Sequence, residues 1–534
     1  MTGEKNLSEF DAVVVGAGFS GLYMLLKLRE AGLKTRLYEA GDGIGGTWFW
    51  NRYPGARCDV PSLQYSYAFD EELQQEWKWP ERYSAQGDIL KYIQHVADRF
   101  DLMKDVQLST RVKKATYDDV NKKWLIDTDN QKVEARFCVM ATGCLSSANS
   151  PTFPGLNTFE GTTYHTGNWP HSKVDFSGKI VGVIGTGSSA IQSIPEIASE
   201  AKHLFVFQRT PNFSVPAENK IVDSTLEEKI KASYPEYRKE WASKPFAYDL
   251  KVNEGKAISA SKEELLVEYE RRWKDGGLMF LGAFSDLLLD KAANDTAAEF
   301  IRGKIKEIVT DPKVASMLLP DHYVGCKRLC ADTGYYETFN RDNVTLVDIS
   351  DNSIDTFDEK GINLSSGEYI SLDDVVFATG FDAMTGALDK IDIIGKDQIS
   401  LRKKWKEGPK SYLGLGISGF PNLFHIAGPG SPSVLTNMLV SIQQHVEWIT
   451  DCITWMREKG FSKIEASKEA ENSWVAHVNE VADLTVYPLC NSWYLGANIP
   501  GKTRQFMPYV GGFPPYVEKC NDVASKGYEG FKVS

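Results

Sequence analysis

Apolar positions along the chain gather twice into a short strand-like run that empties into glycines and then into a helix with an apolar face. The first run is Asp11-Ala-Val-Val-Val-Gly16-Ala-Gly18-Phe19-Ser20-Gly21, and it leads into Leu22-Tyr-Met-Leu-Leu-Lys-Leu-Arg-Glu30. A β-branched run, a glycine turn and an amphipathic helix in that order open a βαβ unit. Gly16 permits the tight turn, Gly18 lets backbone approach a pyrophosphate, and Gly21 allows the helix to pack closely on the strand. The next run, Thr35-Arg-Leu-Tyr-Glu39, ends in an acid where a ribose diol is expected. The pattern returns at Lys179-Ile-Val-Gly-Val-Ile-Gly185-Thr186-Gly187-Ser188-Ser189-Ala190, with alanine at the third small position. Its following run, His203-Leu-Phe-Val-Phe-Gln-Arg209, ends in a cation instead. A carboxylate suits a free 2′-hydroxyl, and a guanidinium suits a 2′-phosphate through bidentate, charge-assisted bonding. The first unit is therefore expected to hold FAD and the second NADPH.

Two further strand-like runs end in Ala-Thr-Gly, at Phe137–Gly143 and Val375–Asp382. They read as the chain leaving and re-entering a dinucleotide domain, so the second unit is inserted into the first rather than appended. The intervening stretch 220–324 is charged and helical in period, with capping boxes expected at Ser224/Glu227 and Ser261/Glu264. A last long helix is expected from near Pro432 to Gly460, entered through Gly428-Pro-Gly-Ser-Pro432. The fold class is α/β: two interleaved Rossmann-like dinucleotide-binding domains with a helical insertion in the NADPH domain. The expected partition is 1–145 for the first part of the FAD domain and 146–220 for the linker and first part of the NADP domain. The insertion takes 221–324, the NADP domain resumes over 325–375, and the FAD domain closes over 376–534.

Composition narrows the function more than the fold. The 534 residues would suggest three or four domains at about 150 residues each, so interleaving changes that picture. Lys and Arg number 60 against 72 Asp and Glu, a net charge of −12, which argues against nucleic acid or an anionic bilayer as partner. Residues 1–8 carry no apolar leader, and no stretch of about 18 apolar residues offers a membrane span. The eight cysteines form no CxxC, and no histidine cluster has zinc-ligand spacing. They are expected to be reduced thiols in a cytoplasmic protein, a monomer or weak homo-oligomer.

Two dinucleotide sites in one chain imply hydride transfer from NADPH to flavin, followed by disulfide reduction, onward electron transfer or reaction with O₂. Disulfide reduction needs paired cysteines after the first helix, where only Cys58 stands. Between the two units Phe159, Gly161, His165, Trp169 and Pro170 satisfy FxGxxxHxxxWP. On this motif the chain resembles the type I Baeyer–Villiger monooxygenases. The likeness extends to Gly45-Gly-Thr47-Trp48-Phe-Trp-Asn-Arg-Tyr-Pro-Gly-Ala-Arg57-Cys58-Asp59, Lys327-Arg328, Tyr335–Val344, Ala378–Asp382 and Asn491-Ser-Trp493 through Gly501. It looks closest to the cyclohexanone, phenylacetone and steroid monooxygenase branch.

The resemblance implies FAD and NADPH as cofactors, a small-molecule ketone and O₂ as substrates, and an ester or lactone as product. O₂ adds at flavin C4a, and the peroxide must stay deprotonated to attack the carbonyl. The family's catalytic arginine matches Arg328, and the acid that orients it matches Asp59. NADP stays bound through residues matching Lys327, Arg209, Thr210 and Trp493. Thr47, Trp48, Arg57, Tyr65, Val112 and Gln192 fall at cofactor-side positions of the same likeness. The chain departs from relatives by reading Lys327-Arg328-Leu329 where several have proline third, which leaves the loop less restricted. Plainer readings stand beside these. His165 reads as a satisfied structural histidine, Trp169 as a linker anchor and Trp493 as core packing. Asp59 could pair with Arg57, and Trp48 and Tyr65 could be ordinary core aromatics. Oxygenation of nitrogen or sulfur is the nearest alternative activity, and a non-catalytic redox sensor a distant one.

Overall fold

In the computed structural model, which describes residues 7–534, the chain builds two parallel-rich sheets flanked by helices. Residues 1–6, part of the segment read above for a leader, lie outside that range.

The strand Ser8–Val15 is central to an eight-stranded sheet, pairing in parallel with Thr35–Tyr38 on one side and Lys132–Met140 on the other. Its last four residues are fully or nearly buried, as the unbroken Val run requires of a strand covered on both faces. Lys132–Met140 is shared along its length. Its first half pairs antiparallel with Lys123–Thr128, and its second half pairs in parallel with Leu423–His425, in register Cys138↔Leu423 to Met140↔His425. The strand Asp392–Ile394 closes the far edge against Val112–Asp118. Late segments of chain thus complete a sheet begun at residue 8.

The second sheet has five parallel strands, in order Val344–Asp348, His203–Gln208, Ile180–Ile184, Asp374–Phe377, Thr162–His165. Between its third and fourth strands in sequence the chain runs out through helices Ser224–Ala232, Tyr234–Ala242, Lys262–Asp275 and Lys291–Ile308, then returns. His165 is satisfied as a structural histidine: Nε2 lies 3.2 Å from the Asn149 carbonyl and from Thr379 Oγ1, and Nδ1 accepts from the Gly167 amide at 2.9 Å. Trp169 is buried and stacks on Tyr164 at 5.3 Å between ring centroids. Among the described residues no helix is long and apolar enough to cross a membrane.

Three local expectations are corrected. The box Ser261/Glu264 forms, but at the other site Asp223 is the cap, its carboxylate accepting from the Thr225 and Leu226 amides, so Ser224 lies inside the helix. Either residue type could cap; the carboxylate does, one residue earlier. The long helix spans Met438–Lys459 and begins at the Asn437 cap, because Ser433–Leu435 closes into a separate 3₁₀ turn; Gly460 ends it in the left-handed region at φ 73°. It is not the last, since helices Lys468–Asp483 and Phe513–Ser525 follow. The cysteines are not all free thiols: Cys326 and Cys490 form a disulfide with a Cα–Cα distance of 6.1 Å. Their separation in sequence hid that the 484–500 segment folds back on the loop carrying Lys327 and Arg328.

Candidate active site

The two glycine turns superimpose in design. Gly16 and Gly185 both take positive φ, 107° and 114°, at the ends of their strands. Gly21 is required by contact, since a Cβ there would lie 1.8 Å from the Gly16 carbonyl oxygen. At Gly187 the absent side chain faces open space. Helices Phe19–Glu30 and Ser188–Glu200 begin at Gly18 and Gly187 with no side-chain cap and no acid in the first turn. Their first amides are thus left for an anion, with the helix dipole favouring negative charge. Both turns fit a dinucleotide pyrophosphate.

Glu39 is buried, and its carboxylate accepts from the Ala17 amide at 2.7 Å and the Gly41 amide at 2.8 Å. Burial raises its pKa against the pull of those amides. It braces the glycine turn while keeping lone pairs for a diol. The Thr110 amide donates to the Glu39 carbonyl, which brings the strand beginning at Val112 alongside. Thr47 and Trp48 lie on a short helix just after Gly46, whose Cα nearly touches the Gly18 position, and Trp48 Nε1 donates to the Tyr65 hydroxyl at 3.2 Å.

In the second unit the Thr186 hydroxyl donates to the Thr210 carbonyl at 2.8 Å, Ser188 Oγ lies 3.2 Å from Cys330 Sγ, and Ser189 Oγ lies 3.0 Å from Thr166 Oγ1. Arg209 is exposed, and Lys327 is close enough to feel its charge. Burial lowers the Lys327 pKa, Asp321 opposes this, and Arg209 lowers it further. Among the described residues neither cation has a carboxylate within ion-pair distance. Two like charges held together, with Asp321 near but in ion-pair contact with neither, fit a dianionic phosphate. Gln192 spends both ends of its amide inside the protein, donating to the Arg57 carbonyl and accepting from the Tyr53 hydroxyl.

Arg328 and Asp59 meet across the two units. Arg328 Nε and Nη2 reach the Asp59 carboxylate at 3.1, 2.8 and 2.7 Å, and Nη1 donates to the Val434 carbonyl at 2.7 Å. Arg57 is engaged elsewhere, by Glu81 and the Tyr83 carbonyl, so Asp59 belongs to Arg328. Burial lowers the Arg328 pKa, but the Asp59 charge more than offsets it, and the guanidinium stays cationic. Of its five N–H groups, Nη1 and Nη2 retain donor capacity towards a cavity. That cavity is lined by Val60, Phe246, Tyr248, Leu278, Tyr487 and Tyr494, among others, with Arg328 in its wall. Three buried thiols surround the pair without chemistry of their own: burial pushes Cys144 up to about 11 and Cys330 up to about 12, and raises Cys58 as well.

Trp493 opens the 3₁₀ turn Trp493–Leu495 and packs on Tyr494, with 4.1 Å between ring centroids. The Val434 carbonyl and the cavity tyrosines were not foreseen as site groups. The Gly428–Pro432 turn and the Asn491–Gly501 segment were the only signals that could have pointed to Val434 and Tyr494.

The family model for flavin-binding monooxygenase-like proteins matches residues 11–223. A Baeyer-Villiger monooxygenase of Pseudooceanicola batsensis is 43% identical over 525 residues, covering 98% of this chain and 96% of its own. A cyclohexanone 1,2-monooxygenase of Acinetobacter sp is 41% identical over 530 residues, covering 98% and 97%. Among solved structures, an oxidized steroid monooxygenase bound to NADP aligns with a TM-score of 0.94 at 49% identity, over 98% of this chain and 99% of that one.

Proposed function

The chain belongs to the flavin-binding monooxygenase-like family, in its type I Baeyer–Villiger branch, and on that premise we propose how its own residues oxidise a ketone to an ester or lactone at the expense of NADPH and O₂. FAD, reduced by NADPH, supplies the electrons that activate O₂. The turn Gly16–Gly21 and the first amides of the helix behind it bind the FAD pyrophosphate, with Glu39 on the ribose. Gly185–Ser189 bind the NADPH pyrophosphate, and Arg209, Thr210 and Lys327 bind its 2′-phosphate.

Arg328 does the work at the reacting carbonyl. Asp59 fixes the plane of the guanidinium and keeps it cationic, and the Val434 carbonyl fixes its other arm. The remaining N–H groups then stand ready for negative charge as it develops on oxygen, with no reorganisation needed at that moment. The aromatic and aliphatic wall keeps water from competing. The observation that carries this reading is the three-point clamp on Arg328 at the cavity wall.

The test is Arg328→Ala, assayed for flavin reduction by NADPH and, by mass, for ester product. Flavin reduction persists and ester formation falls by a factor of about 100 or more. Ester formation at near the parent rate would overturn the assignment. The enzyme is further taken as cytoplasmic and as a monomer or weak homo-oligomer; the acidic net charge of −12 is the support for a soluble setting, and light scattering decides the association state.

A further inference from the structure

The cavity beside Arg328 contains two polar groups that the reaction does not use. Tyr248 and Tyr487 are 4% and 3% exposed, and both line it. Neither phenol has a hydrogen-bond partner among the described residues. Both lie within electrostatic reach of Arg328, as does Tyr494. Burial raises all three, Tyr494 up to about 12, so they are neutral O–H groups throughout the working pH range. The rest of the lining is Val60, Phe246, Leu278, Leu281, Leu329 and Leu435 together with Gly325 and Thr436.

A buried phenol without a partner costs free energy unless a ligand satisfies it, and phenylalanine would fill the same volume without that cost. Tyr248 and Tyr487 bring two such groups to one cavity whose wall is otherwise mostly apolar, where a ligand can meet them. The charge balance adds a second constraint. Arg328 is paired with Asp59 at 2.7 Å, so the pair carries no net charge to hold a full carboxylate, although the N–H groups left over can still meet charge developing on a carbonyl oxygen.

We propose that the preferred substrate is an uncharged ketone whose apolar skeleton carries a second oxygen, a hydroxyl or a carbonyl, that is bound by Tyr248 and Tyr487. The inference rests on the ketone-oxidising reading above and names the substrate class for that same cavity. In a wall of leucine and phenylalanine alone a second oxygen would lower the rate, because it would lose its water without replacement. With the two phenols present the order reverses.

The experiment compares three ketones of one cyclic skeleton: unsubstituted, bearing a second hydroxyl or carbonyl, and bearing a carboxylate. Ester or lactone is followed by mass, and kcat/KM is taken for each with the FAD-loaded enzyme. The oxygenated ketone is expected to exceed the plain one by about ten-fold, the worth of one or two neutral hydrogen bonds, and the carboxylate is expected to be the poorest. In Tyr248→Phe and Tyr487→Phe the ratio of oxygenated to plain ketone drops towards one, whatever happens to the absolute rates. A ratio near one in the parent enzyme, or a ratio unmoved in both variants, overturns the proposal and leaves the ketone reading standing. Failure on all three ketones while a thioether or amine is oxygenated overturns the ketone reading and this proposal with it. The parent ratio needs no variant to fold, so the result is decisive even if a substitution proves damaging.

Discussion

Arg328 is useful because it can neither lose its proton nor turn away. It donates from three nitrogens, Nε and Nη2 to the Asp59 carboxylate and Nη1 to the Val434 carbonyl. Asp59→Ala is therefore expected to cost more than orientation. It leaves a partly buried cation unpaired, a loss on the order of 3 kcal/mol in folding stability, readable in the urea midpoint, together with a large drop in ester formation. Arg209→Ala removes one of two neighbouring cations that make no ion pair, so the preference for NADPH over NADH should collapse while turnover with NADH survives; an unchanged ratio would remove the argument from charge at the strand end. Glu39 and Arg209 were legible in the sequence because each ends a strand at a fixed distance from its glycine turn. The Val434 carbonyl was not, because every residue has one and only the fold shows which is aimed at a guanidinium. Tyr248 and Tyr487 were equally silent, as tyrosines far apart in sequence, one in a loop and one opening the 3₁₀ turn Tyr487–Leu489.

Among the elements, the helices following glycine turns were legible and the helix starts only in part, since the Ser261/Glu264 box forms as read while the caps at Asp223 and Asn437 were missed. Serine, aspartate and asparagine all cap, and competition between neighbours such as Asp223 and Ser224 is settled by loop geometry. Ser261→Ala, which removes the hydroxyl that accepts from the Glu264 amide and leaves the Ser261 amide still donating to the Glu264 carboxylate, should cost about 1 kcal/mol. The disulfide Cys326–Cys490 joins the loop bearing Lys327 and Arg328 to the segment bearing Trp493 and Tyr494. Cross-links over long loops contribute about 2–4 kcal/mol. Reduction, or Cys490→Ser, should lower the thermal midpoint and speed hydrogen exchange over 484–500. Intact mass before and after a thiol reductant checks that the bond is present in the purified enzyme. A protein that carries it fully formed was oxidised during or after synthesis, contrary to the reduced thiols read from cysteine spacing.

At the scale of the whole molecule, the Ala-Thr-Gly runs made the re-entry of chain into an earlier sheet legible, but not its terms. The sequence could not disclose that Lys132–Met140 is divided between Lys123–Thr128 and Leu423–His425, because a strand's pairing partner leaves no mark on the strand. A fragment ending at residue 145 lacks Asp392–Ile394, Leu423–His425 and the helix Met438–Lys459 that packs on Phe19–Glu30. It should retain no flavin absorbance after gel filtration and no near-ultraviolet circular dichroism; a fragment that keeps bound FAD would contradict the sheet order. The divided strand also sets a timetable. On the ribosome, Cys138–Met140 emerges with one edge bare and must wait while everything up to His425 is translated. For that interval the nascent chain offers an open β-edge to any neighbour on the same polysome. Production of this enzyme should therefore be limited by what shields that edge during translation, and slower growth or more chaperone should raise the yield of folded protein even though the finished molecule is no more stable.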